Sequence, residues 1–382
     1  MAVFKFIIEL LIYVFFAWAM YSLAKGSILC HKNSMKFDGY IWCYVLFFTI
    51  ISAIRWRVGV DSVSYIEIFR DGVVRDGSKE YIWDWLVLLI HHWGLHFVIG
   101  TAIMAFLQIF FLCKGFQQYK YILIWLPVVL FGGRYYLGLM NGVRQMTVAC
   151  VYVFLVKYII ERKPLPFLTG VLLLYGFHNS ALLLLPTYLL TYVSFKKLPN
   201  RRILCLAILL VCFAIRQTPS LQGLFKYVEQ ILFITGYDNY TDFYSNVLEG
   251  QGEEQLAFGP TMISFLLCSV VLVWYAPELQ RTYGKVIPYF NLWYFFAVFY
   301  SCGYFLVCNI SHMMIRPFQY FELFQAIMLA LLLHYFSINK KRYQVHLYAL
   351  IFLIWVCTII GIYKACNTPI EFTIYKTFFG RY

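Results

Sequence analysis

Long apolar runs recur along the whole chain, separated by short polar connections. Most runs approach the length of a helix that spans about 30 Å of hydrocarbon. A transmembrane barrel would instead show short segments in which apolar and polar residues alternate. The pattern therefore predicts an all-α, polytopic bundle of transmembrane helices. The twelve predicted spans are 3–24, 39–54, 95–113, 121–137, 143–160, 164–177, 179–194, 203–216, 257–276, 287–308, 315–336 and 345–363.

Two features interrupt this succession of spans. The stretch 81–93 is apolar but too short to cross a bilayer, which predicts a re-entrant or interfacial segment. Segments 164–177 and 179–194 are also short, and they meet next to His178. This arrangement predicts that His178 lies close to, or within, the membrane surface.

The connecting loops form two alternating sets, one of them short and basic. The basic residues of that set are Lys25, Lys32, Lys36, Lys114, Lys120, Arg162, Lys163, Lys196, Lys197, Arg201, Arg202, Arg281, Lys285, Lys340, Lys341 and Arg342. Cytoplasmic loops carry an excess of Lys and Arg, so we expect this set to face the cytoplasm. Twelve spans then place both termini outside. The loops on the outer side are 55–80, 134–144, 176–180, 308–315 and the long loop 217–256.

The first apolar run, from Val3, bears on whether the N-terminal segment is kept. The run is about as long as a span and has no basic segment before it, which predicts a retained helix. Ser22-Leu23-Ala24 leaves a cleaved signal peptide as the alternative. We otherwise treat residues 1–382 as a single integral membrane domain.

The composition agrees with a chain that uses lipid as its solvent. Hydrophobic residues make up 62% of the chain and charged residues 13%, whereas soluble domains carry about 25% charged residues. Basic cytoplasmic loops explain part of the net charge of +13, and the remainder suits an anionic substrate or anionic lipid. No nucleic-acid-binding module is visible, so nucleic acid is not an expected partner. No internal repeat is visible either, which argues against an inverted-repeat transporter.

The cysteines and histidines do not predict a metal site. The 11 cysteines include no CxxC pair, and most lie within apolar runs. His92 and His96 would share a helix face beside His91, but no carboxylate or cysteine accompanies them at a suitable spacing. We therefore expect neither a metal ion nor a cofactor.

The outer side carries an unusual set of arginines. They are Arg55, Arg57, Arg134, Arg144 and Arg316. External loops are normally poor in arginine, and a guanidinium group matches phosphate oxygens in pairs. The set therefore predicts a phosphate-bearing ligand at the outer membrane surface. The alternative is pairing with lipid headgroups or local carboxylates, such as Asp61 and Glu67 for the first two arginines.

Asp61 and His178 are the candidate proton-transfer and orienting groups. A carboxylate near arginines tends to stay ionised, so Asp61 could orient an arginine, bind a sugar hydroxyl or act as a base. Asp61 could instead cap an interfacial helix through its side chain. Histidine is well placed to accept a proton near neutral pH, and an ionisable group at membrane depth is a functional candidate. The alternative for His178 is a hydrogen bond to backbone at a helix break.

Four tyrosines complete the candidate site. They are Tyr65, Tyr237, Tyr240 and Tyr244. Tyrosine rings can stack on sugar rings, which would make these residues contacts for a glycan. Tyrosines also form aromatic belts at membrane interfaces, and the three in loop 217–256 suit that alternative as well.

Four motifs in order resemble the EpsG family of bacterial membrane proteins. The first is Arg55-x-Arg57-Val58-Gly59-x-Asp61-x-x-x-Tyr65, and the second is Asn141-Gly142-Val143-Arg144-Gln145. The third is His178-Asn179-Ser180-Ala181, and the last is Arg316-Pro317-Phe318-Gln319-Tyr320-Phe321. The resemblance covers about residues 40–335. This family is similar to Wzy-type polymerases of O-antigen and exopolysaccharide.

The resemblance implies a glycosyltransferase at the outer face of the bacterial inner membrane. It would move a glycan from undecaprenyl pyrophosphate to another lipid-linked repeat unit, without a metal ion. Arg144 and Arg316 would bind the pyrophosphate, supported by Arg55, Arg57 and Arg134. A Wzz-type chain-length regulator and a flippase are the implied partners.

Three other functions stay open at the level of sequence. One is a ligase that moves finished glycan, and another is a GT-C-type glycosyltransferase with a lipid-monophosphate donor. The third is a flippase or transporter of lipid-linked oligosaccharide. A flippase should line a central cavity with charges, whereas these ionisable residues collect at external span ends. That distribution favours an enzyme.

Overall fold

The chain folds into helices, as the apolar pattern predicts. A computed structural model describes residues 2–30, 37–74, 77–216, 259–309, 312–368 and 373–379. The first helices are α1 (Ala2–Cys30), α2 (Gly39–Ala53), α3 (Ser62–Asp71), α4 (Tyr81–His92), α5 (Phe97–Gly115), α6 (Tyr121–Gly132), α7 (Tyr135–Asn141), α8 (Val143–Ile160) and α9 (Pro164–Tyr175). A 3₁₀-helix (Asn179–Tyr192) follows. The last helices are α10 (Arg202–Ile215), α11 (Pro260–Trp274), α12 (Ala276–Tyr283), α13 (Phe290–Val307), α14 (His312–Gln319), α15 (Glu322–Ile338) and α16 (Lys340–Asn367).

Each of the twelve predicted spans overlaps one of these helices. Five helices of the described residues are long and apolar enough to cross a membrane alone, namely α1, α5, α8, α13 and α16. The number rises to seven if the bent pairs α6–α7 and α11–α12 each count as one span. These helices confirm an all-α, multi-pass membrane protein. The number twelve stays a prediction, because it also counts the shorter helices.

The centre of the bundle is α15. Nearly every residue from Leu323 to Leu333 is buried, and the helix packs against α6, α13 and α16. A helix that is apolar on all sides needs such a position, since it has no polar face for water. Helices α1, α10 and α16 instead leave large apolar side chains exposed, among them Phe4, Val211 and Phe352. These surfaces suit contact with lipid.

The helices are interrupted at the end of the bundle that the sequence predicts to face outward. Helices α6 and α7 meet at an angle of 73°, and Arg134 between them has a left-handed backbone with φ of 64°. Helix α4 covers the apolar stretch 81–93 and, with 12 residues, reaches only about 18 Å. Tyr81 and Trp85 are exposed on it, and Trp93 is exposed immediately after it. Its length and exposed aromatic rings agree with the interfacial interpretation.

The C-terminal segment 373–379 returns to the loop between α2 and α3. Arg55 and Thr377 form an isolated antiparallel bridge, and Trp56 N–H donates to the Lys376 carbonyl at 2.7 Å. The Tyr375 hydroxyl donates to the Ile51 carbonyl at the end of α2. These contacts attach loop 55–61 to the end of the bundle.

Candidate functional site

Glu80 lies at the centre of a polar cluster at one end of the bundle, immediately before α4. Its Oε1 accepts a hydrogen bond from His178 Nδ1 at 2.7 Å and another from the Asn179 N–H at 3.1 Å. Its Oε2 forms an ion pair with Arg144 Nη1. One carboxylate therefore joins the predicted histidine to the predicted pyrophosphate-binding arginine.

The meeting of α4 and α9 places Glu80 beside His178. The Gly176 carbonyl at the end of α9 accepts hydrogen bonds from Ile82 N–H at 2.9 Å and Trp83 N–H at 3.1 Å. A Cβ on Gly176 would lie 2.7 Å from the Ile82 side chain, so only glycine permits this approach. The first turn of α4 is thus attached to the chain two residues before His178.

Electrostatics keep Glu80 ionised. Burial by itself would raise the pKa of Glu80. The hydrogen bond from His178, the positive charge of Arg144 and the Asn179 N–H outweigh burial, so the pKa of Glu80 lies below its usual value. An ionised carboxylate that accepts hydrogen bonds from both partners is the result.

Arg144 is held on two sides. It is the second residue of α8, and its guanidinium lies 5.3 Å from the centre of the Trp83 ring. Stacking on an aromatic ring and pairing with a carboxylate both restrict an arginine side chain. About a fifth of the Arg144 side chain stays exposed.

The segment with Arg316 packs against the same place. The Gln145 side chain, next to Arg144, donates a hydrogen bond to the Arg316 carbonyl. The Ser180 and Tyr320 hydroxyls are 2.6 Å apart. Two contacts therefore bring the fourth motif to the second and third motifs, and the Arg316 side chain itself is exposed.

Asp61 joins the cluster through α7. Its N–H donates to Asn141 Oδ1 at 2.9 Å, at the C-terminal end of that helix. Gly59 has φ of 89° and lies against the Met140 carbonyl, a conformation and spacing that suit glycine. Asp61 precedes α3, but its side chain makes no capping hydrogen bond, so the capping interpretation is not supported.

The sequence suggests that nearby arginines keep Asp61 ionised, whereas in the structure burial has the larger effect on its pKa. Burial raises the pKa of Asp61, and the charges of Arg316 and Arg144 act in the opposite direction. The carboxyl group is therefore within electrostatic range of the two main arginines. Among the described residues, no ion pair joins Asp61 or Glu67 to Arg55 or Arg57.

The EpsG family model matches residues 40–377. This chain belongs to the EpsG family. The match covers all the segments that form the cluster and reaches the C-terminal segment beside Arg55. Membership indicates a membrane protein of surface-polysaccharide biosynthesis. No curated protein and no solved structure matches the chain.

Three of the predicted arginines in this EpsG-family chain lie in other surroundings. Arg55 is buried, and its guanidinium donates to the Ser52 carbonyl. Arg57 is exposed, with its guanidinium 5.7 Å from the centre of the Trp56 ring. Arg134 is exposed at the break between α6 and α7, facing Gly361 of α16. None of their hydrogen bonds or ion pairs within the described residues reaches the Glu80 cluster.

The predicted glycan-binding tyrosines are either buried or outside the described part. Tyr65 is 8% exposed, and its ring lies edge-on to Trp83 with 5.8 Å between the ring centres. In this position Tyr65 packs under α4 rather than presenting a face to a sugar. Tyr237, Tyr240 and Tyr244 belong to loop 217–256, which lies outside the described residues.

The histidines considered for a metal have other contacts. His91 Nδ1 is 2.8 Å from the Arg70 carbonyl. His96 Nδ1 accepts from the Val98 N–H at 3.3 Å and so caps α5. Among the described residues, no group of three His, Cys, Asp or Glu side chains could hold a metal ion.

Sequence reasoning missed Glu80. The position offered one signal, because Glu80 is an acidic residue directly before an apolar segment that was predicted to lie in the membrane interface. An ionisable group at the membrane interface is a functional candidate, and this reasoning, applied to His178, applies to Glu80 as well. Asn141 and Gln145 belonged to a recognised motif, but their roles in orienting Asp61 and Arg316 needed the structure.

Proposed function

We propose that this chain polymerises a bacterial surface polysaccharide such as O-antigen, capsule or exopolysaccharide. Its substrates would be two glycans, each linked to undecaprenyl pyrophosphate, at the outer face of the inner membrane. The observation that carries the proposal is the assembly of His178, Arg144, Arg316 and Asp61 at one end of the bundle, around Glu80. This set combines a proton acceptor with phosphate-binding groups, which glycosyl transfer from a pyrophosphate requires.

In the proposed reaction His178 acts on the acceptor glycan, and Arg144 and Arg316 act on the leaving group. His178 accepts the proton of an acceptor hydroxyl, whose oxygen attacks the anomeric carbon of the donor glycan. The bond from that carbon to the pyrophosphate oxygen breaks, and the electron pair leaves with the lipid pyrophosphate. Arg144 and Arg316 stabilise the negative charge that grows on the leaving group. Because pyrophosphate is a good leaving group, no strong general acid is needed.

Asp61 has a secondary part in this proposal. Its carboxyl group lies in the field of both arginines, and Asn141 fixes its backbone. It would orient the arginines or accept a hydrogen bond from a sugar hydroxyl. Arg57 and Arg134, both exposed on outer segments, would attract the anionic substrate without forming the cluster itself.

The membrane arrangement completes the proposal. The predicted twelve-span topology would put the basic loops in the cytoplasm and both termini outside. The Glu80 cluster would then face the outer side, where flipped repeat units are presented. A flippase would supply those repeat units, and a Wzz-type regulator would set the chain length.

The test is deletion of the gene in its host, followed by sizing of the surface glycan on a gel. We expect the deletion to leave single repeat units on the surface and the wild-type gene to restore the polymer ladder. His178→Ala should be present in the membrane at the wild-type level and restore no ladder. The loss would reflect removal of the proton acceptor.

Other outcomes would replace the proposal with a different function. Repeat units that stay on the cytoplasmic side would mean a flippase. Full-length polymer stranded on its lipid carrier would mean a ligase. A repeat unit one sugar short would mean a glycosyltransferase that builds the unit. A normal ladder from His178→Ala would reduce His178 to a structural residue.

A further inference from the structure

Both oxygens of Glu80 are in use, and each contacts a different group of the site. Oε1 lies 2.7 Å from His178 Nδ1 and 3.1 Å from the Asn179 nitrogen. Oε2 lies against Arg144 Nη1. The side chain is only 9% exposed, so water does not replace these contacts.

The contact with His178 defines which ring nitrogen can react. An ionised carboxylate can only accept hydrogen bonds, so Nδ1 must carry the proton that it shares with Glu80. In the neutral ring Nε2 then has the free lone pair. The N–H of Asn179, on the same oxygen, fixes the carboxylate relative to the backbone that carries the ring.

The contact with Arg144 links the proton acceptor to the phosphate-binding group. Arg144 begins α8, whereas His178 follows α9, and the two are joined through Glu80 rather than through each other. Trp83, in the first turn of α4, packs its ring against Arg144, and its N–H donates to the Gly176 carbonyl at the end of α9. Few other side chains could span both partners, since lysine and arginine lack an acceptor and a hydroxyl has one oxygen.

We infer that Glu80 is a positioning residue of the proposed polymerase site, fixing the Nδ1–H tautomer of His178 and the place of Arg144 with a single carboxylate. This inference rests on the proposed function for the reaction that it serves. The tautomer and the ion pair themselves can be measured without any polymerase activity. Failure of the function and failure of the inference therefore give different results.

The variants separate the two contacts of Glu80. Glu80→Ala removes both. Glu80→Gln keeps an oxygen that can accept from Nδ1–H, but turns a donor NH₂ toward Arg144. Glu80→Asp keeps the charge with a shorter reach. Glu67→Gln, at an exposed position on α3, is the matched control.

The first readout is the polymer ladder in the complemented deletion strain. We expect Glu80→Ala to reduce polymer about tenfold or more, the scale of loss when a partner that orients a histidine is removed. Glu80→Gln should also lose polymer, because Arg144 loses its anionic partner. Glu80→Asp should restore part of the ladder, and Glu67→Gln all of it.

The second readout is ¹⁵N NMR of histidine-labelled protein in lipid, at about pH 9 where imidazole is neutral. Subtracting the spectrum of His178→Gln identifies the His178 signals among the 8 histidines. Wild type and Glu80→Gln should show a protonated Nδ1 and an unprotonated Nε2. Glu80→Ala should show exchange between the two tautomers.

The polymer ladder and the tautomer measurement together distinguish failure of this inference from failure of the proposed function. A wild-type tautomer and a full ladder in Glu80→Ala would overturn the inference, even if wild type polymerises. If wild type makes no polymer but Glu80→Ala changes the tautomer, the proposed function fails while the positioning of His178 stands. A full ladder in Glu80→Gln would contradict a role for the carboxylate charge.

Discussion

At the scale of residues, the charged groups of the cluster hold one another through specific contacts. Arg144 lies between the Trp83 ring and the Glu80 carboxylate, and about a fifth of its side chain is exposed. Asp61 makes no side-chain cap and lies in the field of Arg144 and Arg316. In the proposed site, the placement of Arg144 and Asp61 would serve anion binding, at some cost in the stability of the folded protein.

Arg144 should not tolerate replacement by lysine. We expect Arg144→Ala to abolish polymer and Arg144→Lys to retain only a little, since an ammonium group cannot offer the paired donors of guanidinium. The measurement is the surface-glycan ladder at matched protein levels. Arg70→Lys is the control, because Arg70 forms an exposed pair with Asp71. A full ladder from Arg144→Lys would refute the paired-donor role.

We expect the ionised Asp61 carboxylate to destabilise the folded protein at neutral pH. Its pKa is raised by burial, so its charged form is less favourable in the folded than in the unfolded chain. The contribution of this group to stability is therefore greatest at acid pH and is lost as pH rises through the raised pKa. We expect Asp61→Asn to raise the melting temperature at pH 7 and to lower polymerisation.

Thermal unfolding in detergent at pH 7 and near pH 4 tests this expectation. The gain of Asp61→Asn over wild type should shrink at the lower pH, where a larger fraction of the wild-type carboxyl group is protonated. Glu67→Gln, which is exposed, should leave the melting temperature unchanged at both values. An Asp61→Asn protein that melts below wild type at pH 7 would contradict the sign.

At the scale of elements, a second buried ion pair joins three helices at the other end of the bundle. Lys120, which precedes α6, donates to Asp38 at 2.8 Å and to the Ser27 hydroxyl at 3.2 Å. Asp38 also caps α2 by accepting from the Ile41 N–H. Burial would raise the pKa of Asp38, but these hydrogen bonds outweigh it and hold the pKa below its usual value.

Lys120→Met should destabilise the bundle by about 1–3 kcal/mol, since it leaves a buried carboxylate without its partner. The folded-state pKa of Asp38 is depressed, so its stabilising contribution is present at neutral pH and lost as pH falls through that pKa. Melting of the variant and of the double variant Asp38→Asn with Lys120→Met measures this effect. The double variant should recover part of the loss, because asparagine can still cap α2. Equal melting of wild type and Lys120→Met would exclude the role.

At the scale of the whole molecule, the proposed site forms where the ends of helices bring distant segments together. The Gly176–His178 turn, the end of α7 at Asn141 and the end of α14 all lie at the Glu80 cluster. The C-terminal segment forms a bridge with Arg55 in the loop before α3. Arg55 is thus attached to the scaffold, while about a fifth of the Arg144 side chain is exposed.

The sidedness of this arrangement can be tested with introduced cysteines. Ser64→Cys on α3 should react with a membrane-impermeant maleimide in intact spheroplasts, because the twelve-span topology places it outside. Lys197→Cys, in a basic loop, should react only after permeabilisation. Both positions are exposed, and the parent chain with its native cysteines is the blank. The reverse pattern would place the Glu80 cluster in the cytoplasm and refute the proposed function.

The sequence by itself determined the helices and pointed to most residues of the proposed site, although not to Glu80. An apolar run of sufficient length must form a helix in lipid, because no water is present to satisfy its backbone groups. All twelve apolar segments accordingly appear as helices. The four motifs were also visible, since each is short and contiguous.

Only the tertiary structure decided which of these residues meet. Glu80 contacts Arg144 and His178 across 64 and 98 residues of sequence, and Gln145 reaches Arg316 across 171. Local composition carries no record of such contacts, because they depend on how helices end and pack. The same packing buries Arg55 and Tyr65, which the sequence had placed with the exposed site residues. Long-range contacts, rather than residue types, therefore distinguish the cluster from the other outer arginines.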